Sequence, residues 1–280
     1  MIALLALALL QDEVAIRYGA ERVTKTSVAS ELSLELDIKG SDVAVNFIRS
    51  TSPFFSFSRI HWVADGERRV DRKSVRTEFA EARVDGVYDD EKYEFDFQRG
   101  APPSDLQTDK LKGLLWMLAM NGHPQTLSPL GELRAADPNQ DAMGEAMLLL
   151  GWPVARPSEK AVKAGDTWES KWRGERKDRQ SKAQVDYVQK VTLEKLADGV
   201  AELAFELTGA GTGQKAAGQD KAEQKIEAKG RVRLDTKTGQ LLGWQSDGKI
   251  TVTFAGTDPG SGEAFEVTVT FAIKSKLEAK

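Results

Sequence analysis

Apolar and polar residues alternate at every step in two segments near opposite ends of the chain, residues 31–38 and 265–273. Successive side chains of a β-strand point to opposite faces, so this two-residue period is typical of strands with one buried and one solvated face. The same alternation recurs along most of the 280 residues. The sequence therefore predicts a mainly β fold built from large antiparallel sheets.

Strands are predicted wherever the alternation persists between turn signals. In the first half they cover residues 16–27, 30–38, 43–50, 56–64, 68–80 and 92–98, with an extended segment at 125–134. In the second half they cover residues 168–173, 183–196, 200–208, 222–235, 241–255 and 264–276. Asp-Gly pairs suit the positive φ angles of hairpins and predict tight turns at 65–66, 85–86 and 198–199.

Two helices are predicted in the middle of the chain. The first covers residues 104–120, where Ser104 and Gln107 form a capping box and leucines follow at helical spacing. The second covers residues 137–150 and places methionines on one face before a glycine and a proline end it. Both helices interrupt the strand pattern between the two halves.

These elements divide the chain into a leader at residues 1–11, a β-rich half with both helices at 12–153, and a second β-meander at 154–280. The predicted fold has two antiparallel meander-type halves that form large curved sheets or half-barrels, with the two helices packing on a sheet. Glycine-centred turns at 130–133 and 238–242 suggest an internal duplication. The alternative is that all meanders share such turns.

The apolar run at residues 1–10 ends abruptly at Gln11. A membrane-spanning helix needs about 20 residues, so this run is instead typical of a signal peptide, with cleavage expected between Ala8 and Gln11. A basic region does not precede it, so the start lies upstream, the signal is atypical, or the run is a buried first element of a cytoplasmic protein. We expect a protein exported to the periplasm or the exterior, with no transmembrane span after signal removal.

The composition excludes several chemistries. The chain has no cysteine, so it has no disulfide, no thiolate nucleophile and no thiolate metal ligand. Its net charge of −4 gives no general attraction to nucleic acid, and we expect no nucleic-acid partner. Two basic stretches, residues 68–76 and 173–182, are interpreted as solvated strand faces or hairpin tips. The alternative is a patch that attracts anionic headgroups or polysaccharide.

Catalytic and metal-binding patterns are also missing. His61 and His123 lie 62 positions apart and form no metal-ligand spacing. No Gly-x-Ser-x-Gly elbow accompanies them. The acidic cluster at 89–91 is interpreted as a solvated turn, and the glycines at 209–213 as a flexible hairpin connection. We expect no catalytic residue, no cofactor and no metal site.

The segment 157–168 is the most individual string of the chain, with Pro157 followed by Val-Lys-Ala-Gly-Asp-Thr-Trp at 162–168. It resembles an element in families of secreted, β-rich bacterial proteins of uncharacterised function. The resemblance extends loosely upstream, to residues 93–98 and the turn at 130–133. It implies an exported β-sheet protein and transfers no catalytic residue.

Four tryptophans are the candidate residues for a ligand-binding or packing face. Trp168 and Trp172 share one face of a predicted strand, while Trp62 belongs to another strand and Trp116 to the first predicted helix. Indole rings at such positions close one end of a core. The alternative is an aromatic platform for a sugar or an apolar ligand.

Three classes of function follow from this reasoning. The first is a non-catalytic exported binding or carrier protein of the cell envelope, because a curved sheet with a helix across it can enclose a cavity for an apolar small molecule or lipid. The second is a structural or interaction module that binds another envelope protein through a sheet edge. The third is a hydrolase with paired carboxylates, which are recognised by their separation in space. The oligomeric state stays open.

Overall fold

The computed structural model describes ten stretches of the chain. They are residues 13–19, 24–51, 53–70, 74–98, 125–127, 133–135, 155–177, 182–212, 219–257 and 262–280. Within these stretches the protein is mainly β, as predicted, but its strands form one open antiparallel sheet and not separate sheets or half-barrels. The two helices predicted at 104–120 and 137–150 lie outside the described residues.

The described elements are twelve strands, one α-helix and one 3₁₀-helix. The strands of the first half are β1 (Thr24–Gly40), β2 (Phe57–Val70), β3 (Ser74–Tyr88), β4 (Glu91–Gln98), β5 (Gln125–Leu127) and β6 (Leu133–Ala135). Those of the second half are β7 (Thr167–Lys177), β8 (Lys182–Ala197), β9 (Val200–Thr212), β10 (Gln219–Asp235), β11 (Leu241–Thr257) and β12 (Ala264–Ala279). The helices are α1 (Asp42–Thr51) and the 3₁₀ turn Pro53–Ser56.

All twelve strands belong to one antiparallel sheet. Its order is β6-β5-β3-β2-β1-β12-β11-β10-β9-β8-β7, and β4 pairs with β3 beside β5. Each half of the chain is a meander, and the first and last strands pair at the centre of the sheet, from Val28 opposite Ala279 to Gly40 opposite Val267. The halves therefore share one sheet, whose end strands β6 and β7 do not pair with each other within the described residues.

One side of the sheet is apolar and the other is charged. On β9, Leu203, Phe205 and Leu207 are at most 2% exposed, while Glu202 and Glu206 point to the opposite side. Cross-strand register carries this phase over the whole sheet, and the buried apolar side chains form two clusters on this side, a large one and a smaller one that includes Ala44 and Ile48. We call the apolar side the inner face and the charged side the outer face. The inner-face core includes Val28, Leu34, Ile60, Val84, Val191, Leu203, Val232, Ile250 and Ile273.

Helix α1 occupies a segment for which a strand was predicted at 43–50, and that prediction was wrong. Ser41 caps the helix, because its hydroxyl accepts from the backbone N–H of Ala44 at 3.3 Å. Ala44 and Ile48, four residues apart, are both fully buried, and Phe47 packs on Phe265 with ring centroids 5.0 Å apart. Val43, Val45 and Phe47 alternate as in a strand, but the fully buried residues of this segment follow the four-residue spacing of a helix.

Two of the three Asp-Gly turn predictions were also wrong. Residues 65–66 lie inside β2 and residues 85–86 inside β3, whereas 198–199 forms the β8–β9 hairpin with φ angles of 53° and 78°. Gly86 is needed for packing instead, since a Cβ atom there would lie 2.7 Å from Cζ of the cross-strand Tyr93. The glycines at 209 and 211 likewise lie within β9, so the flexible connection predicted at 209–213 was wrong for residues 209–212.

A glycine substitution tests this packing on the inner face. A Cβ atom on Gly230 would lie 2.7 Å from Cζ of Phe205 and would also meet the backbone oxygen of Gln245. We expect Gly230→Ala to lower the free energy of unfolding by about 1–3 kcal/mol in urea titrations, because the ring must leave its position. The adjacent Lys229→Ala, on the outer face, is the control and should stay within about 0.5 kcal/mol of wild type. Equal midpoints for both variants would contradict the close packing.

Candidate functional site

Aromatic side chains form a wall on the inner face of β2, β3 and β4. Trp62 stands edge-on to Phe79, with ring centroids 4.6 Å apart and planes at 88°. Tyr93 stacks on Phe95 at 5.6 Å, and Phe95 meets Phe97 edge-on at 6.2 Å. Residues two apart on a strand share a face, so Tyr93, Phe95 and Phe97 all point to the inner face of β4. The register of β3 and β4 places them beside the inner-face residues of β3.

Trp168 and Trp172 lie at the other end of the inner face, on the edge strand β7. The Trp168 indole N–H donates to the carbonyl oxygen of Arg156 at 2.8 Å. Trp172 stacks on Tyr187 with centroids 5.1 Å apart, and the Arg156 guanidinium carbon lies 3.7 Å from the centroid of the Trp172 ring. Buried Gln189 accepts from the backbone N–H of Arg156 at 2.8 Å. These contacts fix the segment 155–158 against β7 and β8, which is a packing role.

The structure places Trp62 on β2 and Trp168 on β7, seven strands apart in the sheet, which corresponds to about 34 Å measured along the sheet at the usual strand spacing. Trp116 lies outside the described residues, as does His123. Trp62 contacts Phe79, whereas Trp168 and Trp172 contact Arg156.

Arg68 is a buried cation that the sequence interpretation placed on a solvated face, and that interpretation was wrong. Its side chain is 2% exposed on the inner face of β2, with the guanidinium carbon 5.7 Å from the centroid of the Trp244 ring. Burial lowers the pKa of Arg68 to about 9, and interaction with Tyr18 opposes part of this shift. The sequence did carry a signal, because Arg68 is in phase with Ile60 and Trp62 on the same strand.

Tyr18 belongs to a described segment that packs against the inner face ahead of β1. Its hydroxyl donates to the carbonyl oxygen of Ala155 at 2.9 Å, and Val14 pairs with Val162 in a short bridge. Burial raises the pKa of the Tyr18 hydroxyl above its usual range, although the charge of Arg68 opposes this shift. At neutral pH, Tyr18 is therefore neutral beside a charged Arg68.

Three buried polar atoms on the inner face of β1–β3 have no hydrogen-bond partner. They are Oγ1 of Thr24, Oγ1 of Thr77 and Nε1 of Trp62, on three neighbouring strands of the inner face. Thr77 is 8% exposed and lies directly opposite Arg68 in the β2–β3 register. A buried polar atom without a partner costs about 1–3 kcal/mol, so this end of the inner face favours a polar group from a bound molecule.

The centre of the inner face also carries hydroxyl groups, but these are satisfied. Ser246 and Ser275 lie 2.7 Å apart across β11 and β12, and the Trp244 indole N–H donates to Ser275 at 3.3 Å. All three side chains are buried. The atoms without partners are thus confined to the β1–β3 part of the described inner face.

His61 lies on the outer face between two carboxylates. Its Nε2 is 3.2 Å from Glu31 and its Nδ1 is 3.2 Å from Asp85. The carboxylates flank opposite sides of the ring, and a neutral imidazole can donate to only one of them. In the described part of the chain, no three His, Asp or Glu residues are grouped to hold a metal ion. The His61 arrangement ties β1, β2 and β3 together.

Among the described helices, none is long and apolar enough to cross a membrane. Comparison of the chain with protein-family models and with curated protein sequences finds no match to either. The resemblance carried by residues 157–168 and the suggested duplication therefore stay predictions. Function must be argued from the geometry of the inner and outer faces.

The pKa of Arg68 predicts a specific pH dependence. Arg68 loses its proton near pH 9 in the folded state, whereas the pKa of an arginine in the unfolded state is several units higher. Above pH 9 the unfolded state therefore binds more protons, and the contribution of this group to the free energy of unfolding rises with pH.

Comparison with Arg68→Met isolates this effect, because the variant lacks the group while other side chains titrate alike in both proteins. We expect the difference in free energy of unfolding, wild type minus variant, to increase by about 2 kcal/mol from about pH 8 to about pH 10.5. Chemical denaturation at both pH values measures it. A difference that does not change would show that Arg68 keeps an ordinary pKa.

Proposed function

We propose that the protein is a non-catalytic, exported binding or carrier protein of the cell envelope, which holds an apolar small molecule or lipid against the inner face. The observation that carries the proposal is the continuous apolar and aromatic inner face, together with buried polar atoms that lack partners at its β1–β3 end. Ligand sites are generally apolar with a few convergent polar groups. An amphiphile matches this combination, because its apolar part can contact the apolar residues and its polar end can bond to the polar atoms.

The positions of the polar atoms support an orientation for the ligand. Thr77 lies two residues from Phe79 on the same side of β3. The ring of Phe79 contacts the ring of Trp62. A ligand whose apolar part contacts Trp62 and Phe79 can place a polar end at the Thr77 and Thr24 hydroxyls. Such a ligand offsets the cost of burying those hydroxyls, so the proposal favours an amphiphile over a pure hydrocarbon.

The placement of the acidic residues supports a non-catalytic role. Among the residues whose burial the structure describes, no aspartate or glutamate is buried on the inner face. Glu31 and Asp85 are engaged with His61 on the outer face, and Asp89 and Asp90 form the two-residue turn between β3 and β4. A hydrolase with paired acids is therefore the least supported of the three classes.

The alternative of a module that binds an envelope partner through a sheet edge has less support. The edge strand β7 carries charged, exposed side chains at Glu169, Lys171 and Arg173. Charges on an edge strand oppose the addition of a further strand. Export itself rests on the apolar run at residues 1–10.

The ligand proposal is tested on protein purified from the native envelope fraction, by native mass spectrometry and by mass spectrometry of its organic extract. We expect a bound amphiphile in the wild type. Ala64→Phe puts a ring on the inner face next to Trp62, at a residue that is 2% exposed, and should reduce the bound amount substantially. Val63→Phe adds a ring to the adjacent outer-face position, which is 44% exposed, and should retain the ligand.

Wild-type protein that is consistently free of ligand would contradict the proposal. Ligand loss in both phenylalanine variants would show that the loss does not depend on the face. Circular dichroism of each variant confirms that the sheet is retained.

Thr77→Val separates a ligand contact from ordinary core packing, because valine keeps the shape and removes the hydroxyl. In delipidated protein we expect the free energy of unfolding to rise by about 1 kcal/mol, since a buried hydroxyl without a partner is lost. In protein from the envelope we expect less bound ligand and a lower melting temperature than wild type. Unchanged ligand content would contradict the assignment of Thr77 to the polar end.

A further inference from the structure

The outer face contains a polar groove of about 720 Å³ that is separate from the inner face. Six neighbouring strands line it, in the order β1, β12, β11, β10, β9 and β8. The groove crosses the strands, because its outer-face lining residues come from two cross-strand rows, and Phe205, Gly230, Ser246 and Ser275 line it from the strand positions between these rows. Small side chains at Ser33, Thr192 and Ala204 leave space in these rows.

Charge alternates from strand to strand along the groove. The acids stand on every second strand, with Glu31 on β1, Asp247 on β11 and Glu206 on β9. The bases stand on the strands between them. In one row, Lys274 is directly opposite Asp247, and Glu206 is directly opposite Lys190. The groove therefore presents both hydrogen-bond acceptors and cations along its length.

The five basic residues of the groove fall into two groups. Arg231 forms an ion pair with Glu194 at 3.0 Å, and Lys276 forms one with Glu278 at 3.0 Å. The ammonium groups of Lys190, Lys229 and Lys274 form no ion pair with any carboxylate of the described residues. These three lysines lie in one row, each two strands from the next.

The spacing of the three lysines defines what they can bind. Neighbouring strands are about 4.7–4.9 Å apart, so the lysines repeat about every 10 Å across the sheet. Because Arg231 and Lys276 are paired with Glu194 and Glu278, the three lysines are the groove cations left for an anionic ligand, and they face the three lining carboxylates. A linear polyanion with a similar charge interval meets all three lysines at once.

We propose that this groove binds an acidic polysaccharide that carries one anionic group in each disaccharide. Lys190, Lys229 and Lys274 pair with successive anionic groups. Asp247 and Glu206, which stand between the lysines, accept hydrogen bonds from sugar hydroxyls. The polysaccharide site is independent of the ligand proposed for the inner face.

The carboxylates distinguish this ligand from other polyanions. Polyphosphate offers acceptors without hydroxyl donors, so Glu31, Asp247 and Glu206 repel it and gain no hydrogen bond in return. The same reasoning disfavours a nucleic-acid backbone. A flat anionic membrane does not reach the floor of a concave groove, where Ala204 and Thr192 lie.

The experiment uses the full chain and a hyaluronan octasaccharide, which has one carboxylate per disaccharide, in isothermal titration calorimetry near physiological salt. The test variant combines Lys190→Gln, Lys229→Gln and Lys274→Gln. The matched control combines Lys171→Gln, Lys225→Gln and Lys249→Gln, three exposed lysines on the same face that do not line the groove. Both variants lose the same formal charge.

We expect the groove variant to bind the octasaccharide roughly tenfold or more weakly than wild type, and the control within about twofold. Neutral dextran oligomers and polyphosphate of similar length should bind more weakly than the octasaccharide. Equal weakening in the two variants would show diffuse electrostatic attraction and overturn the proposal. So would the absence of wild-type binding, stronger binding of polyphosphate, or binding to anionic phosphatidylglycerol vesicles that requires the same three lysines.

Discussion

The pairing of β1 with β12 is the contact on which the rest of the sheet depends. Within the described residues it is the only pairing between full strands of the two halves, beside the isolated Val14–Val162 bridge, and its register runs without a shift from Val28–Ala279 to Gly40–Val267. A shift of one residue would turn every side chain of one half to the wrong face. The continuous inner core and the six-strand groove on the outer face both require this one register.

Both faces follow from the same alternation but differ in how their polar groups are used. On the outer face, acids and bases stand opposite each other across strands, where water also solvates them. On the inner face, the same polar groups must find partners within the protein. The serines beside Trp244 do so, whereas the Thr77 hydroxyl does not. The core around Trp244 therefore has its hydroxyl groups hydrogen-bonded, whereas the part around Thr77 is suited to a polar group of a ligand.

Much of the fold could be predicted from sequence, because alternation is a local property. Strands predicted at 183–196, 222–235 and 241–255 lie within β8, β10 and β11. The strand prediction failed at α1, because this segment shows both the alternation of a strand and the helical spacing of its buried residues, which are four apart. The prediction for Arg68 also failed, because its charge is typical of a solvated residue although its position on β2 is in phase with buried apolar residues. The β1–β12 register and the rows of the groove involve residues more than 200 positions apart, which local patterns do not specify.

The central position of β1 and β12 also determines when the protein can fold. The backbone N–H of Lys280 donates to the carbonyl oxygen of Ser27 at 2.9 Å, so residues more than 250 positions apart meet at the middle of the sheet. During synthesis the edge of β1 therefore stays open until β12 has been made. A polypeptide of this topology holds two separate meanders, each with one unpaired strand edge, until that last pairing joins them.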